Sequence, residues 1–272
     1  MTQRVTHYTQ QPWTPQYLKL LVGMRVREFR SYLDAMLRSA RVDARHILIF
    51  AQGRSGTTLL ANLLASTGHY DDLGEPLHLW TREVWAPERY LRGLGRRHKK
   101  NIIVHVKGSQ LGRGRSKPVE AATFLRNMVA EGWLIVHVRR RNVAEQVLSE
   151  CVALRRGGYH KFDAAPESIR WRIDPVEFLE RYERRLGFME QDDAALEGLS
   201  HLTIGYEDDL LNAKCHQVTC DRVLAAVELP SCPVRTNLHK IGGSDPREQL
   251  ENYNEIVSAL SARGIVWRER EP

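Results

Sequence analysis

The sequence predicts an α/β protein of three layers, a mostly parallel central sheet flanked by helices. Three observations predict it. Short apolar runs (HILIFA at 46–51, NIIVHV at 101–106, WLIVHV at 133–138) alternate with longer stretches of helical periodicity, the order expected of βαβ units. The runs IIVHV and LIVHV are apolar without alternation, as strands covered on both faces are. The chain has 272 residues, 42% of them hydrophobic, enough for one large core.

Taken in order, residues 1–15 form a polar lead. Residues 16–38 place apolar side chains at 18, 21, 22, 26, 29, 33, 36 and 37 with basic residues opposite. That is helical spacing, and two readings stay open: a helix packed on the domain, or one resting on a membrane surface or a partner. Strands are expected at 46–51, 101–106, 133–138 and 201–206, with a weaker one at 70–74. Helices are expected at 57–67, 117–130, 142–155, 175–192, 209–227 and 246–262. Two basic, glycine-containing stretches, 92–100 (RGLGRRHKK) and 112–117 (GRGRSK), read as interruptions of this core, and 156–173 as a mobile loop. The organisation is an N-terminal extension with an amphipathic helix at 1–45, then a single domain at 46–272.

The net charge of +7 favours anionic partners, among them nucleotides, acidic acceptors and nucleic acid. No window holds 18 uninterrupted apolar residues, so no transmembrane segment is expected. The first residues, MTQRVTHYTQQPW, lack the apolar stretch of a secretory signal, which leads to the expectation of a cytoplasmic protein. Cys215, His216, Cys220 and Cys232 match no C-x2-C spacing, so they read as ordinary cysteines with no metal bound.

The chemistry concentrates in residues 46–64, HILIFAQGRSGTTLLANLL. A strand, a tight glycine turn and a helix N-terminus together make an anion cradle, because inward-pointing N–H groups add to the helix dipole. Gly53 and Gly56 allow close approach, Ser55, Thr57 and Thr58 add hydroxyls, and Arg54 adds a full charge. The turn departs from G-x-x-x-x-G-K-[ST]: Ala51 stands for the first glycine and Thr57 for the lysine that reaches the β/γ-phosphates. A kinase without that lysine lacks its main transition-state cation.

RSGTTL at 54–59 resembles the loop of sulfotransferases that use 3′-phosphoadenosine 5′-phosphosulfate (PAPS), roughly [KR]-S-G-T-[TS]-x-L. The family's second signature, an arginine after a buried strand and a serine eight positions on, is matched by Arg141 and Ser149 in GWLIVHVRRRNVAEQVLS at 132–149. Two helical turns span about 7 residues, so both side chains project from one face.

The resemblance implies a P-loop NTPase-like sulfotransferase fold with PAPS as cosubstrate and no metal. It assigns Arg54, Ser55, Gly56, Thr57 and Thr58 to the nucleotide's 5′ end, and Arg141 and Ser149 to its 3′-phosphate. Lys240, in HKIGGSDPREQLENYNEI at 239–256, is implied to close over the same phosphate. LGEPL at 73–77 is similar to a Gly-Glu segment of carbohydrate-type and bacterial members, making Glu75 the implied base, with burial expected to raise its pKa toward the working pH. The cytosolic branch draws a histidine from K-[TS]-H; here VHVKGSQ keeps Lys107 and puts Ser109 in the histidine's place. Arg54 and Lys107 are thus implied to stabilise the transferred group. Glu207 and Asp208, in IGYEDDL at 204–210, read as capping residues. His105 and His137 read as core histidines. The expected reaction is sulfuryl transfer to a hydroxyl, or an amine, of a carbohydrate, lipid or small-molecule acceptor. The alternatives are a divergent P-loop kinase or NTPase and a basic nucleic-acid-binding protein using 92–117. Neither specific nucleic acid binding nor an oligomeric state follows from the sequence, and peripheral membrane contact is expected only through the N-terminal helix.

Overall fold

The computed structural model describes residues 14–78, 83–112, 114–155, 169–238 and 245–267. Five parallel strands form one sheet: β1 (Ile47–Phe50), β2 (Tyr70–Asp72), β3 (Asn101–Val106), β4 (Leu134–Arg139) and β5 (Leu202–Gly205), in the order β2-β3-β1-β4-β5. All four expected strands and the weaker one are present.

Successive β1 residues point to opposite faces, which divides the core in two. Leu48 and Phe50 pack with Val104, Val106, Leu91 and Phe124, under α3 (Pro87–Arg97) and α5 (Ala121–Ala130). Ile47 and Ile49 pack with Ile103, Val136, Leu60 and Val223, under α2 (Thr57–Ser66) and α8 (His216–Ala226). A third cluster joins α6 (Val143–Arg155) and α7 (Pro175–Leu196) through Val147 and Phe178, with Ile256 from near the C-terminus in the same cluster. The three-layer α/β class is therefore observed.

Several elements differ from expectation. The stretch 92–100 is not an interruption: residues 92–97 complete α3, whose glycines are contact points. A Cβ on Gly93 would overlap the Ser31 carbonyl, and one on Gly95 would lie 2.9 Å from the His46 ring. The arginines of this stretch are paired within the chain: Arg92 and Arg96 with Glu131 at 3.0 Å each, Arg97 with Asp34 at 3.6 Å. In the second basic stretch the buried Arg115 donates to the Val84 carbonyl. The expected helix over 246–262 is broken into α9 (Pro246–Gln249) and α10 (Tyr253–Ser261). Buried Asn252 causes the break by exchanging hydrogen bonds with the backbone of Ile173, at 3.1 and 2.8 Å. The expected helix over 209–227 is entered through a π turn at Tyr206–Leu210 and a short 3-10 turn at Ala213–Cys215.

α1 (Pro15–Leu37) is a helix as expected, but its apolar stripe does not face the domain. It docks on α3 through Glu28, Ser31, Asp34 and Ala35, all buried. Ser31 donates to the Tyr90 carbonyl at 2.7 Å, and Glu28 accepts the Trp85 N–H at 2.8 Å. The close approach at Gly93 leaves room for a serine backbone and none for a leucine.

Among the described residues no helix is long and apolar enough to cross a membrane.

Candidate functional site

The turn after the central strand is shaped from behind. Gln146 of α6 donates to the Gly53 carbonyl at 2.7 Å, and Arg140 donates to the Arg54 carbonyl at 3.3 Å. In a trans peptide the next N–H points opposite the carbonyl, so the N–H groups of Arg54 and Ser55 are turned away from these two side chains. Arg54 itself has φ 65, a left-handed conformation uncommon for a residue with a side chain and concentrated at functional sites. Gly56, φ 96, is the N-cap of α2, and a glycine supplies no capping side chain. Its first-turn N–H groups therefore stand ready for an anion. Gly56 cannot be replaced cheaply, since a Cβ would lie 2.7 Å from the Tyr206 ring.

Arg54 Nε donates to Ser149 Oγ at 2.9 Å. The structure thus joins the glycine turn to the serine of the second motif across the sheet top. Arg141 is placed differently. Its guanidinium pairs with Asp208 at 2.7 Å on the surface, and its N–H and that of Asn142 donate to Glu207, both at 3.0 Å. Glu207 thus caps the segment that leads into α6, and not the helix after it in sequence, which the acidic pair is expected to begin. Among the described residues no hydrogen bond joins Arg141 to Ser149. The arginine turned inward is Arg140, buried against Glu145 at 2.7 Å and over the Tyr206 ring. Ser55 is also buried, its hydroxyl donating to the Gln52 carbonyl at 2.7 Å, so what it offers a ligand is its N–H. Thr57 and Thr58 sit half-buried on the first turn of α2. Lys240 lies outside the described residues, as do residues 156–168 of the expected loop.

On the other side of the turn, β2 continues as an extended segment beside β3: the Gly74 carbonyl accepts the His105 N–H at 2.7 Å. This sets Glu75 opposite Lys107, the first residue after β3. Lys107 Nζ lies 2.7 Å from Glu75 Oε1, and Gln110 donates to Oε2 at 2.8 Å. A Cβ built on Gly53 would lie 3.8 Å from Lys107 Nζ, so the lysine also borders the glycine turn. Sequence reasoning expects burial to raise the Glu75 pKa. Burial does push it upward, but the Lys107 charge and hydrogen bond, helped by His78 and His105, outweigh it, and the net shift is downward. Glu75 is thus a carboxylate held ionised. Gln110 and His78 escaped the sequence analysis, although each lies three residues from a residue it singled out.

Behind the turn is a buried polar cluster that the sequence does not announce. The Gln52 amide donates to Asp192 and accepts from Arg185 at 3.3 Å, and Arg185 also pairs with Glu150. Burial, and secondarily the charge of Asp193, push the Asp192 pKa up to about 7 despite the Gln52 bond and Arg185. A carboxyl whose folded pKa is raised contributes stability that is complete below its unfolded value, 3.8, and lost as pH climbs through about 7. Asp192→Asn mimics the protonated acid. Its melting temperature relative to wild type is expected to rise steadily across that window; a flat difference would mean Asp192 is ionised throughout.

His137 is buried with Nδ1 2.9 Å from the Phe50 carbonyl, and buried His105 lies 3.3 Å from Asp72. Both are core residues, as read.

Neither a family model nor a curated protein matches the chain. Among solved structures, a sulfotransferase from Alicyclobacillus acidocaldarius is similar to it with a TM-score of 0.48 and 14% identity, covering 83% of this chain and 96% of that one.

Proposed function

We propose that this protein is a sulfotransferase that moves the sulfuryl group of PAPS to a hydroxyl, or an amine, of a carbohydrate, lipid or small-molecule acceptor. The observation that carries the reading is the 2.9 Å bond from Arg54 to Ser149. It brings the anion cradle and the serine of the second motif to one crevice, where a single nucleotide with phosphates at both ends fits the donors.

In this reading the N–H groups at the start of α2 hold the 5′-phosphate, and Ser149 and Arg141 take the 3′-phosphate. The Arg141–Asp208 pair is exposed, and such pairs are weak in water, so a phosphate dianion displaces Asp208 at little cost. Transfer to a hydroxyl is in-line. The acceptor O–H bond breaks and its proton passes to Glu75. The acceptor oxygen bonds to sulfur, and the bond from sulfur to the bridging oxygen breaks, releasing adenosine 3′,5′-bisphosphate. Charge grows on the bridging oxygen, where Arg54 and the α2 dipole oppose it. Lys107, bordering the turn, faces the sulfonate oxygens.

Adenosine 3′,5′-bisphosphate at 100 times its Kd is expected to add about 2.7 kcal/mol of stability, a rise in melting temperature of roughly 5–10 °C. Arg54→Ala should remove most of it. A shift produced by ATP with Mg²⁺ and not by the bisphosphate would replace this reading with the divergent kinase.

A further inference from the structure

Among the described residues nothing covers the outward face of α1, an apolar stripe with one sign of charge beside it. Leu18, Val22, Val26, Phe29, Leu33, Met36 and Leu37 are between 42% and 80% exposed. Trp85 extends the stripe, its ring edge-on to Phe29 with centroids 5.6 Å apart, and it too is exposed. At about 100° per residue, Lys19 and Arg30 fall along one edge of the stripe and Arg27 beyond them, all exposed. The helix has only two acidic side chains near this face, Glu28 and Asp34, and both are turned inward against the domain. The exposed charge is therefore uniformly positive.

From this juxtaposition we infer that α1 lays the protein onto an anionic lipid surface. An interfacial helix needs an apolar face that enters the acyl boundary, a basic flank that meets acidic headgroups, and favours an aromatic anchor at the boundary. All three are on this face. The polar docking onto α3 follows the same logic, since it spends serine and carboxylate contacts on the domain and leaves the apolar side chains outward.

The competing occupant is a second copy. Val22, Val26, Phe29, Leu33 and Met36 have the alternating four-three spacing of a coiled-coil seam. Charge decides against it: a parallel pair sets Lys19, Arg27 and Arg30 each beside its own copy, and an antiparallel pair still brings together two faces whose exposed charges are all positive, whereas a lipid surface supplies the missing negative charge.

The test is co-sedimentation of the full chain with vesicles of mixed phosphatidylcholine and phosphatidylglycerol, against phosphatidylcholine alone. Binding is expected to the anionic vesicles only and to weaken with salt. Arg27→Gln with Arg30→Gln should lower the partition about thirtyfold, and Phe29→Ser with Leu33→Ser should abolish it. All four side chains are exposed, so melting temperatures should hold; if the serine variant misfolds, the glutamine variant still decides. No binding to anionic vesicles, or equal binding to neutral ones, overturns the inference. So does a dimer in sedimentation velocity that Leu33→Ser converts to monomer. The inference is independent of the proposed reaction, because vesicle binding needs no substrate.

Discussion

Glu75→Gln is expected to lower turnover about 10²–10⁴-fold, the usual range for loss of a general base, while leaving affinity for adenosine 3′,5′-bisphosphate unchanged. The substitution keeps size and keeps an oxygen for Lys107 Nζ, now 2.7 Å from Oε1. It removes the ability to accept a proton, along with the negative charge paired with Lys107 and one of the two oxygens that accept from Lys107 and Gln110. Binding should survive because Glu75 lies on the β2–β3 side of the glycine turn and Ser149 on the β4 side, where it meets Arg54. The pH profile should agree. Lys107 and its neighbours hold the Glu75 pKa below the ordinary glutamate value of 4.5, so the base stays ionised as pH falls, and the acid limb of kcat/KM should lie below that value. Transfer can be followed with labelled PAPS and cell extracts, scoring products that gain one sulfonate by mass spectrometry. Full turnover by the variant would move the base elsewhere.

Gly93→Val should be the most damaging single change in the N-terminal half. The glycine lies where α3 meets α1, and any side chain there enters the Ser31 carbonyl. Overpacking of a rigid contact costs about 3 kcal/mol, a fall of roughly 6–12 °C in melting temperature. Loss of the α1 contact would also take from Glu28 the Trp85 N–H at 2.8 Å and from Asp34 the Arg97 guanidinium at 3.6 Å. A variant that melts like wild type would mean that α1 does not dock on α3 through this glycine. Thermal melts followed by circular dichroism measure it.

Much of the sheet was legible because parallel strands covered on both faces read as uninterrupted apolar runs, as 101–106 and 133–138 do. The glycine turn was legible because its residues are adjacent in sequence. What escaped shares one cause: contact between distant residues. The glycines of 92–97 read as breakers because the Ser31 backbone that needs their space is far away in the chain. The inward face of α1 was not legible because hydrophobicity marks an apolar stripe without saying what covers it; the buried Glu28 and Asp34 look like ordinary surface charges until Trp85 and Arg97 are placed beside them. For Glu75 the sequence supplied the residue and the wrong direction of shift, since the sign depends on a lysine from the neighbouring strand. Asp192 gave no signal at all, being one of two adjacent aspartates on a long helix.

The position of β1 between β3 and β4 bears on how the protein folds. Arg54 meets Ser149 only after a crossover has set β4 beside β1, and Glu75 meets Lys107 only after another has set β3 beside β2. Closing such long loops comes before any reward from the contacts. The crevice is therefore a late product of the folding reaction, and a nucleotide that bridges it would retard unfolding far more than it hastens folding.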